Sequence, residues 1–429
     1  MKYTAIDKSL YIFNRKNFVK KLKPKSVAIF NSNDLMPTNA DGTMQFRQNN
    51  DLLYLSGVDQ AESILVIFPD ASNPKHREIL FVKETSELIA IWEGEKLTKA
   101  KATQQSGIET IYWTSEFDQI FLALAVEAEN IYLNQNEHLR AITVVETRDD
   151  RFGKACRAKY PSHNYERLAP IMKTLRPIKS QLEVDTIQHA CNITEKGFRR
   201  VLKFIKPGVM EYEIEAEFAH EFLMNRSRGF AYEPIIASGF NACVLHYIEN
   251  NKECKAGDVI LMDVAAEYAN YASDMTRCLP VSGRFTARQR AVYDAVLRVM
   301  KAAKGMLVPG TIHDEYQEEV GKIMESELIG LKLIDKHDVA QQDAKNPLYK
   351  KYFMHGTSHH MGLDVHDIEN RTTPFAAGMI LTIEPGIYIR EENLGIRLEN
   401  NILITEKGQL DLMANIPLEA EEIEDLMNA

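Results

Sequence analysis

The sequence contains no apolar run that approaches the roughly 18 residues needed to cross a lipid bilayer. Residues 1–21 are interrupted by charge every few positions, so this segment also lacks the apolar core of a secretory signal peptide. Together the two absences predict a cytoplasmic protein that does not act at a membrane.

Cysteine is scarce, and positive charge is not in excess. The five cysteines are odd in number and scattered, which favours reduced thiols over a disulfide framework. Lysine and arginine together number 51 against 61 aspartates and glutamates, and the resulting net charge of -10 argues against nucleic acid as a general partner. Because low-complexity tracts and flexible linkers are also missing, we expect firmly packed domains.

The chain is long enough for two domains with separate hydrophobic cores. Short apolar segments at 26–30, 63–68 and 78–82 predict strands, and 116–128 has the periodicity of a helix. Residues 1–175 are therefore expected to form a smaller α/β domain.

Residues 176–429 predict a larger α+β domain that begins at an Arg-Pro boundary. Amphipathic helices over 181–206 and 211–226 precede a predicted hairpin. Helices near 288–305 and 313–328 then precede a second predicted hairpin. This order indicates a helix-and-hairpin half that occurs twice, although no sequence repeat is visible.

Asp263 and Asp274 lie in two apolar segments that predict the first hairpin. A two-residue loop at Tyr268-Ala269 would place the two aspartates directly opposite each other. Facing residues have Cβ atoms about 4.5–5.5 Å apart, a separation that suits carboxylates holding two metal ions about 3.5–4 Å apart. Without a cation, the facing like charges would be destabilising.

Glu384 and Glu399 repeat this arrangement in the second hairpin, if its loop is centred on Glu391 and Glu392. Pro385 predicts a bulge, which leaves the register open by one or two residues. Either acidic pair alone could equally be exposed to solvent. Because both pairs interrupt strongly apolar runs, together they favour four buried carboxylates neutralised by cations.

A Gly-punctuated segment between the hairpins contains four histidines, namely His355, His359, His360 and His366. Neutral imidazole is a common ligand of transition metals. Carboxylates together with one histidine suit manganese, cobalt, zinc or iron, whereas copper(I) prefers sulfur. A purely structural role in a hydrogen-bonded loop is the alternative for these histidines.

The order of the acidic residues and histidine resembles the five-ligand dinuclear site of the pita-bread metallopeptidases, the family of methionine aminopeptidase, aminopeptidase P and prolidase. The five matching positions are Asp263, Asp274, His359, Glu384 and Glu399. Several segments resemble bacterial aminopeptidase P in particular, namely 238–247, 355–367, 383–388 and 395–399. Residues 47–51 and 54–57 resemble its N-terminal domain, so the resemblance covers nearly the whole chain.

The resemblance implies a pita-bread catalytic domain that binds two divalent metal ions, with manganese as the expected metal. Asp274 and Glu399 would bridge the two ions. Asp263 would hold one ion, and His359 and Glu384 would hold the other. A hydroxide shared by the ions would be the nucleophile that attacks the peptide bond.

The resemblance also implies roles for residues around the metals. His355 and His366 would stabilise the oxyanion of the tetrahedral intermediate, and His246 would lie on the leaving-group side of the cleft. Glu384 would pass a proton to the leaving nitrogen. Arg397 would orient Glu399 or compensate its charge.

Four further residues are candidates for substrate contacts. Tyr232 and Tyr388 would line the substrate pocket, with a place in the aromatic core as the alternative. The resemblance implies a homo-oligomer, a dimer or tetramer, in which the N-terminal domain restricts the cleft to short peptides. Asp41 and Trp92 would contact a neighbouring subunit's site, although Trp92 could equally be a partly buried aromatic residue.

Three functions are compatible with these patterns. The favoured function is Xaa-Pro aminopeptidase, a cytoplasmic metalloaminopeptidase that removes an N-terminal residue preceding proline from short peptides. Prolidase, which cleaves only Xaa-Pro dipeptides, shares all five ligands. A catalytically inert scaffold that binds peptides or proteins would be expected to have lost ligands, and none is missing here.

Overall fold

The computed structural model describes residues 3–141 and 144–429. The chain divides into two compact units, Tyr3–Arg176 and Pro177–Ala429. The predicted domain boundary, after residue 175, lies one residue before this division. In the described ranges, no helix combines the length and the apolar character needed to cross a membrane.

The N-terminal unit contains a six-stranded mixed sheet. Its strands, in the spatial order β4-β3-β2-β1-β5-β6, are β1 (Ser26–Asn31), β2 (Ile64–Ile67), β3 (Glu78–Val82), β4 (Thr110–Trp113), β5 (Asn130–Leu133) and β6 (Asn164–Arg167). Its helices are α1 (Ser9–Val19), α2 (Asn50–Ser56), α3 (Glu87–Glu93), α4 (Lys99–Ser106), α5 (Phe117–Glu127), α6 (Arg148–Lys159) and α7 (Ala169–Leu175).

The three predicted strands correspond to β1, β2 and β3, and the predicted helix corresponds to α5. An apolar run without alternation is typical of a strand covered on both faces, and all of β1 is buried. Phe117 and Phe121 of α5 pack in one cluster with Val27 and Ile29 of β1. The apolar residues that predicted these elements therefore build the core of this unit.

The C-terminal unit has the predicted order of helix pair and hairpin, repeated once. Its helices are α8 (Gln181–Leu202), α9 (Glu211–Met224), α10 (Ala287–Met306), α11 (His313–Gly330), α12 (Lys336–Ala340) and α13 (Ala420–Met427). Its strands are β7 (Ile235–Ser238), β8 (Val259–Asp263), β9 (Glu267–Tyr268), β10 (Tyr271–Ala272), β11 (Thr276–Pro280), β12 (Ile380–Ile383), β13 (Gly386–Ile389), β14 (Leu394–Arg397), β15 (Asn400–Thr405) and β16 (Gly408–Asp411). The strands pair as β11-β8-β7, β10-β9, β12-β15-β16 and β13-β14.

The predicted register of the first hairpin is wrong by two residues. Asp263 of β8 faces Thr276 of β11, and Asp274 lies in the irregular step between β10 and β11. The two turn residues are Ala269 and Asn270, with φ of 52° and 68°. A tight hairpin turn of this type needs positive φ at both central positions, which asparagine tolerates well, so the loop lies one residue later than predicted.

The predicted register of the second hairpin is correct. Ile383 pairs with Asn400, and Gly386 pairs with Arg397. Glu384 and Glu399 therefore occupy facing positions in the gap between β12 and β13 on one side and β14 and β15 on the other. Pro385 contributes to this gap because proline has no backbone N–H to donate to the ladder.

Candidate metal centre

The interrupted strands of the two hairpins bring acidic residues and a histidine together in the C-terminal unit. Asp274, His359 and Glu399 each offer a ligand atom within 4.8 Å of the others, and all three side chains are buried. His359 Nε2 lies 3.4 Å from Asp274 Oδ2 and 3.6 Å from Glu384 Oε1. Three of the four predicted carboxylate ligands, Asp274, Glu384 and Glu399, thus lie close to the predicted histidine ligand.

The orientation of His359 suits a metal ligand. Its Nδ1 lies 3.0 Å from the carbonyl oxygen of His360, and because a carbonyl can only accept, Nδ1 carries a hydrogen. Its Nε2 therefore faces the carboxylates of Asp274 and Glu384. A backbone carbonyl is one of the usual acceptors for the second ring nitrogen of a metal-ligating histidine.

Burial and mutual repulsion make the cluster unfavourable without cations. Burial raises the pKa of Asp274 and raises that of Glu399 well above its ordinary value, and neighbouring carboxylates add to both effects. Burial also raises the pKa of Glu384 to about 7. Burial opposes a charge on His359, but the hydrogen bond with Asp274, the charges of Glu384 and Asp274 and the His360 carbonyl together outweigh it and raise the pKa of this histidine to about 9. Divalent cations would take the place of these protons, so the donor set fits them.

Asp263 has polar partners on both carboxylate oxygens. The Tyr232 hydroxyl donates to Oδ1 at 2.6 Å, and Arg397 Nη2 donates to Oδ2 at 2.6 Å. Each carboxylate oxygen has a second lone pair, so this arrangement orients Asp263 and leaves it able to bind a cation. Tyr232, which was predicted to line the substrate pocket, therefore contacts the predicted metal ligand Asp263.

Arg397 is buried, and its carboxylate partner is Asp263 rather than Glu399. Its Nε donates to the Thr276 hydroxyl at 3.2 Å, and that hydroxyl donates to Glu399 Oε2 at 2.7 Å. Arg397 thus reaches Glu399 through Thr276. The sequence analysis missed Thr276. The predicted register placed Asp274 opposite Asp263, whereas in the structure Thr276 occupies that position.

Tyr388 connects Arg397 with His355. Arg397 Nη1 donates to the Tyr388 hydroxyl at 2.8 Å, and this hydroxyl lies 2.8 Å from His355 Nε2. His355 Nδ1 donates to the carbonyl of Gly356 at 2.8 Å, so Nε2 accepts from Tyr388. Burial, together with the charge of Arg397, lowers the pKa of His355 to about 3, which keeps its imidazole neutral.

The other predicted site residues occupy different positions. The His366 ring lies 4.3 Å from the His359 ring, measured between centroids. His246 is exposed, and its electrostatic effect contributes to the lowered pKa of His355. Asp41 and Trp92 belong to the N-terminal unit, where both are exposed.

Two polar side chains that the sequence analysis missed hold the ligands in place. Asn401 accepts a hydrogen bond from the Asp274 backbone N–H at 3.0 Å and donates to the Asp274 carbonyl at 2.7 Å. The Thr382 hydroxyl accepts from the His359 backbone N–H at 3.1 Å. For Asn401 the sequence offered one signal, because two adjacent asparagines, at 400 and 401, begin a strand that is otherwise mostly apolar.

Family models match both parts of the chain. Residues 185–406 match metallopeptidase family M24, and residues 11–132 match the aminopeptidase P N-terminal domain. These matches together extend over most of both compact units.

Individual relatives are similar over most of their own length. Xaa-Pro aminopeptidase of Escherichia coli is 34% identical, over 97% of this chain and 96% of the relative. Human Xaa-Pro aminopeptidase 3 is 32% identical, over 89% of this chain and 76% of the relative. A zinc-substituted E. coli aminopeptidase P solved with product has a TM-score of 0.87 and 32% identity, and the match covers 99% of each chain.

Proposed function

This chain belongs to metallopeptidase family M24, and from that membership we propose that the cluster around His359 is its hydrolytic centre. The activity is that of a Xaa-Pro aminopeptidase, which hydrolyses the bond between an N-terminal residue and a following proline. The fold is the pita-bread catalytic domain preceded by the aminopeptidase P N-terminal domain. The buried group Asp274, His359 and Glu399 is the observation that carries the proposal.

All five predicted ligands take part in the proposed metal centre. Asp274 and Glu399 would be ligands of both divalent ions, Asp263 would hold one of the ions, and His359 and Glu384 would hold the other. The short distances from His359 Nε2 to Asp274 and Glu384 support this assignment. We propose manganese as the native ion, since a mainly carboxylate donor set suits a hard divalent cation and includes no thiolate.

Divalent ions bound at this centre act as Lewis acids and make hydroxide available near neutral pH. The protein side chains position the substrate and move protons. Glu384 accepts a proton and delivers it to the leaving nitrogen, a role that suits a buried carboxyl group facing the cluster. His366 stabilises the developing oxyanion. His355 was predicted to share this role, but its N–H donates to the Gly356 carbonyl and its Nε2 accepts from Tyr388, so its ring has no further donor for an oxyanion. Arg397 and Tyr388 hold His355 neutral and in place.

The same assignment places substrate contacts around the cluster. Tyr232 is half-buried and its hydroxyl donates to Asp263, so it is proposed to line the pocket near the reacting bond. Tyr388 is only 1% exposed, which favours the alternative of a core residue, and its proposed role is to hold His355. His246, which is exposed, contacts the leaving proline side of the peptide. The substrates proposed are short peptides with proline at the second position.

Substrate length separates the enzyme from its closest alternative. We expect metal-loaded protein to release arginine from Arg-Pro-Pro and to leave Gly-Pro and Arg-Ala-Pro essentially uncleaved, as measured by chromatography of the products. Turnover of Gly-Pro alone would establish prolidase instead. Failure to cleave any of the three peptides, with metal bound, would establish the inert scaffold.

The N-terminal unit is proposed to mediate a dimer or tetramer that narrows access to the site. Helix α3 has no buried residue, and Leu88, Ile91 and Trp92 are 65%, 77% and 80% exposed. Exposed large apolar side chains that adjoin one another are typical of an interaction surface. Trp92 and Asp41 would contact a neighbouring subunit's site. A cytoplasmic location stays a prediction, supported by the five buried, free cysteines.

Replacing Trp92 with serine should weaken this assembly. Sedimentation velocity is expected to show a dimer or tetramer for the unmodified protein and a shift toward monomer for Trp92→Ser. Val126→Ser is the matched control, because Val126 is 79% exposed on α5 of the same unit. An unchanged assembly in Trp92→Ser would contradict a role for α3, and a monomeric unmodified protein would contradict the oligomer.

A further inference from the structure

A cavity of about 500 Å³ lies in the N-terminal unit, separate from every residue of the proposed metal centre. Residues of α5 and α6 form most of its wall, and we call it the α5–α6 cavity. Its volume lies within the range of about 300–1,000 Å³ that is usual for small-molecule sites. The cavity is therefore large enough for a compact organic ligand.

Aromatic side chains form the apolar part of the wall. Phe117 and Phe121 stack with ring centroids 5.2 Å apart. The rings of Phe152 and Tyr160 lie 5.8 Å and 5.7 Å from that of Phe121. Such packed rings offer a rigid, flat surface for a planar ligand.

Arg148 supplies a partly buried positive charge to the same wall. It donates one hydrogen bond, from Nη1 to the Ser32 hydroxyl at 2.8 Å, and has no ion-pair partner among the described residues. A guanidinium group has five N–H donors, and burial lowers the pKa of Arg148. Most of its hydrogen-bonding capacity is thus left for another group.

The acidic groups whose charges act on the pKa of Arg148 are engaged elsewhere. Asp34 pairs with Arg151 at 2.7 Å, and Glu62 pairs with Lys83 at 3.1 Å. Asp149 accepts a hydrogen bond from Asn31 at 2.8 Å, and burial raises the pKa of its carboxyl to about 7. It therefore carries only part of a negative charge near neutral pH.

The position of Arg148 in its helix further destabilises its positive charge. Arg148 is the first residue of α6, where the helix dipole disfavours a cation. Thr147 and Asp150 already cap this helix end.

The hydroxyl of Tyr160, a second polar group on the cavity wall, is buried and has no hydrogen-bond partner among the described residues. Both polar groups would gain from a bound acceptor.

We propose that the α5–α6 cavity binds a small aromatic carboxylate, with its carboxylate group on Arg148 and its ring against Phe117, Phe121 and Phe152. A bidentate contact between guanidinium and carboxylate would use the donors that the protein leaves unpaired. The aromatic wall would select a planar apolar body over a simple inorganic anion. The site is independent of the peptidase centre.

Titration calorimetry with the full chain tests the proposal, with 3-phenylpropionate as the probe. We expect one molecule to bind per chain, and 3-phenylpropionamide and inorganic phosphate to bind at least about tenfold more weakly, because each lacks one of the two contacts. Equal binding of the acid and its amide, or no binding of the acid, would overturn the proposal. This comparison does not depend on any variant folding.

Arg148→Gln locates the binding. The variant is expected to bind 3-phenylpropionate at least about tenfold more weakly, since it loses the charged contact. Arg77→Gln is the matched control, because Arg77 is an exposed arginine of the same unit and lies outside the cavity. Thermal unfolding confirms that each variant is folded. Unchanged binding by folded Arg148→Gln would place the carboxylate elsewhere, including at the metal centre, and would overturn the proposal.

Discussion

Asp274→Ala is expected to lose bound metal and to lower kcat/KM on Arg-Pro-Pro by about three orders of magnitude or more. Asp274 belongs to the buried group whose ligand atoms lie within 4.8 Å, and its carboxylate is 3.4 Å from His359 Nε2. As a proposed ligand of both ions it would hold both, so its loss would remove the Lewis-acid chemistry that the ions supply. Elemental analysis of purified protein and steady-state kinetics measure the two effects.

Asp294→Ala is the matched control for this prediction. Asp294 lies on α10 of the same unit, where it pairs with Arg290 at the surface. We expect this control to keep its metal and activity. Full activity in Asp274→Ala would contradict the proposed mechanism. The same elemental analysis identifies the native ion, and protein purified without added metal that contains zinc, cobalt or iron in place of manganese would contradict the manganese proposal.

Lys179→Met is expected to lower the free energy of unfolding by about 3–5 kcal/mol. Lys179 Nζ lies 3.2 Å from Asp367 Oδ2, and both side chains are only 1% exposed. Removal of the lysine takes away the ammonium group that lies 3.2 Å from a buried carboxylate, which is far more costly than breaking a surface pair. Urea unfolding of the metal-loaded protein, followed through the transition of the C-terminal unit, measures the loss.

Two further variants separate the charge from the packing. Lys179→Met combined with Asp367→Leu should recover much of the stability, because the double variant removes both buried charges of the pair. Lys301→Met removes an exposed pair with Glu419 and should cost no more than about 1 kcal/mol. A loss of similar size in Lys179→Met and Lys301→Met would contradict the importance of the buried pair.

The Lys179–Asp367 pair also bears on the metal centre. The Asp367 backbone N–H donates to the His360 carbonyl at 2.8 Å, and that same carbonyl accepts from His359 Nδ1. The buried pair thus stabilises the segment that orients the histidine ligand. It joins residues 188 positions apart in the chain, which is why nothing in the local pattern of either segment predicted it.

The two hairpins show which parts of a strand register can be predicted from sequence patterns. The second hairpin has the predicted register because its loop is centred on Glu391 and Glu392, and Pro385 interrupts the strand without shifting it. In the first, a one-residue difference in the loop moves every facing position by two residues, so Asp263 faces Thr276. The choice of Ala269-Asn270 depends on which residues adopt positive φ, a small local energy that apolar periodicity does not report.

The order of the helices and strands, the apolar runs that become strands, and the order of the acidic residues and histidines could be predicted from the sequence, because they are properties of single residues and short segments. The folded structure was needed to show that Arg397 pairs with Asp263, that Thr276 and Asn401 support the ligands, and that Arg148 lines an aromatic cavity. Those outcomes depend on which distant side chains share a buried space, where each polar group needs a partner whose position the chain alone does not specify.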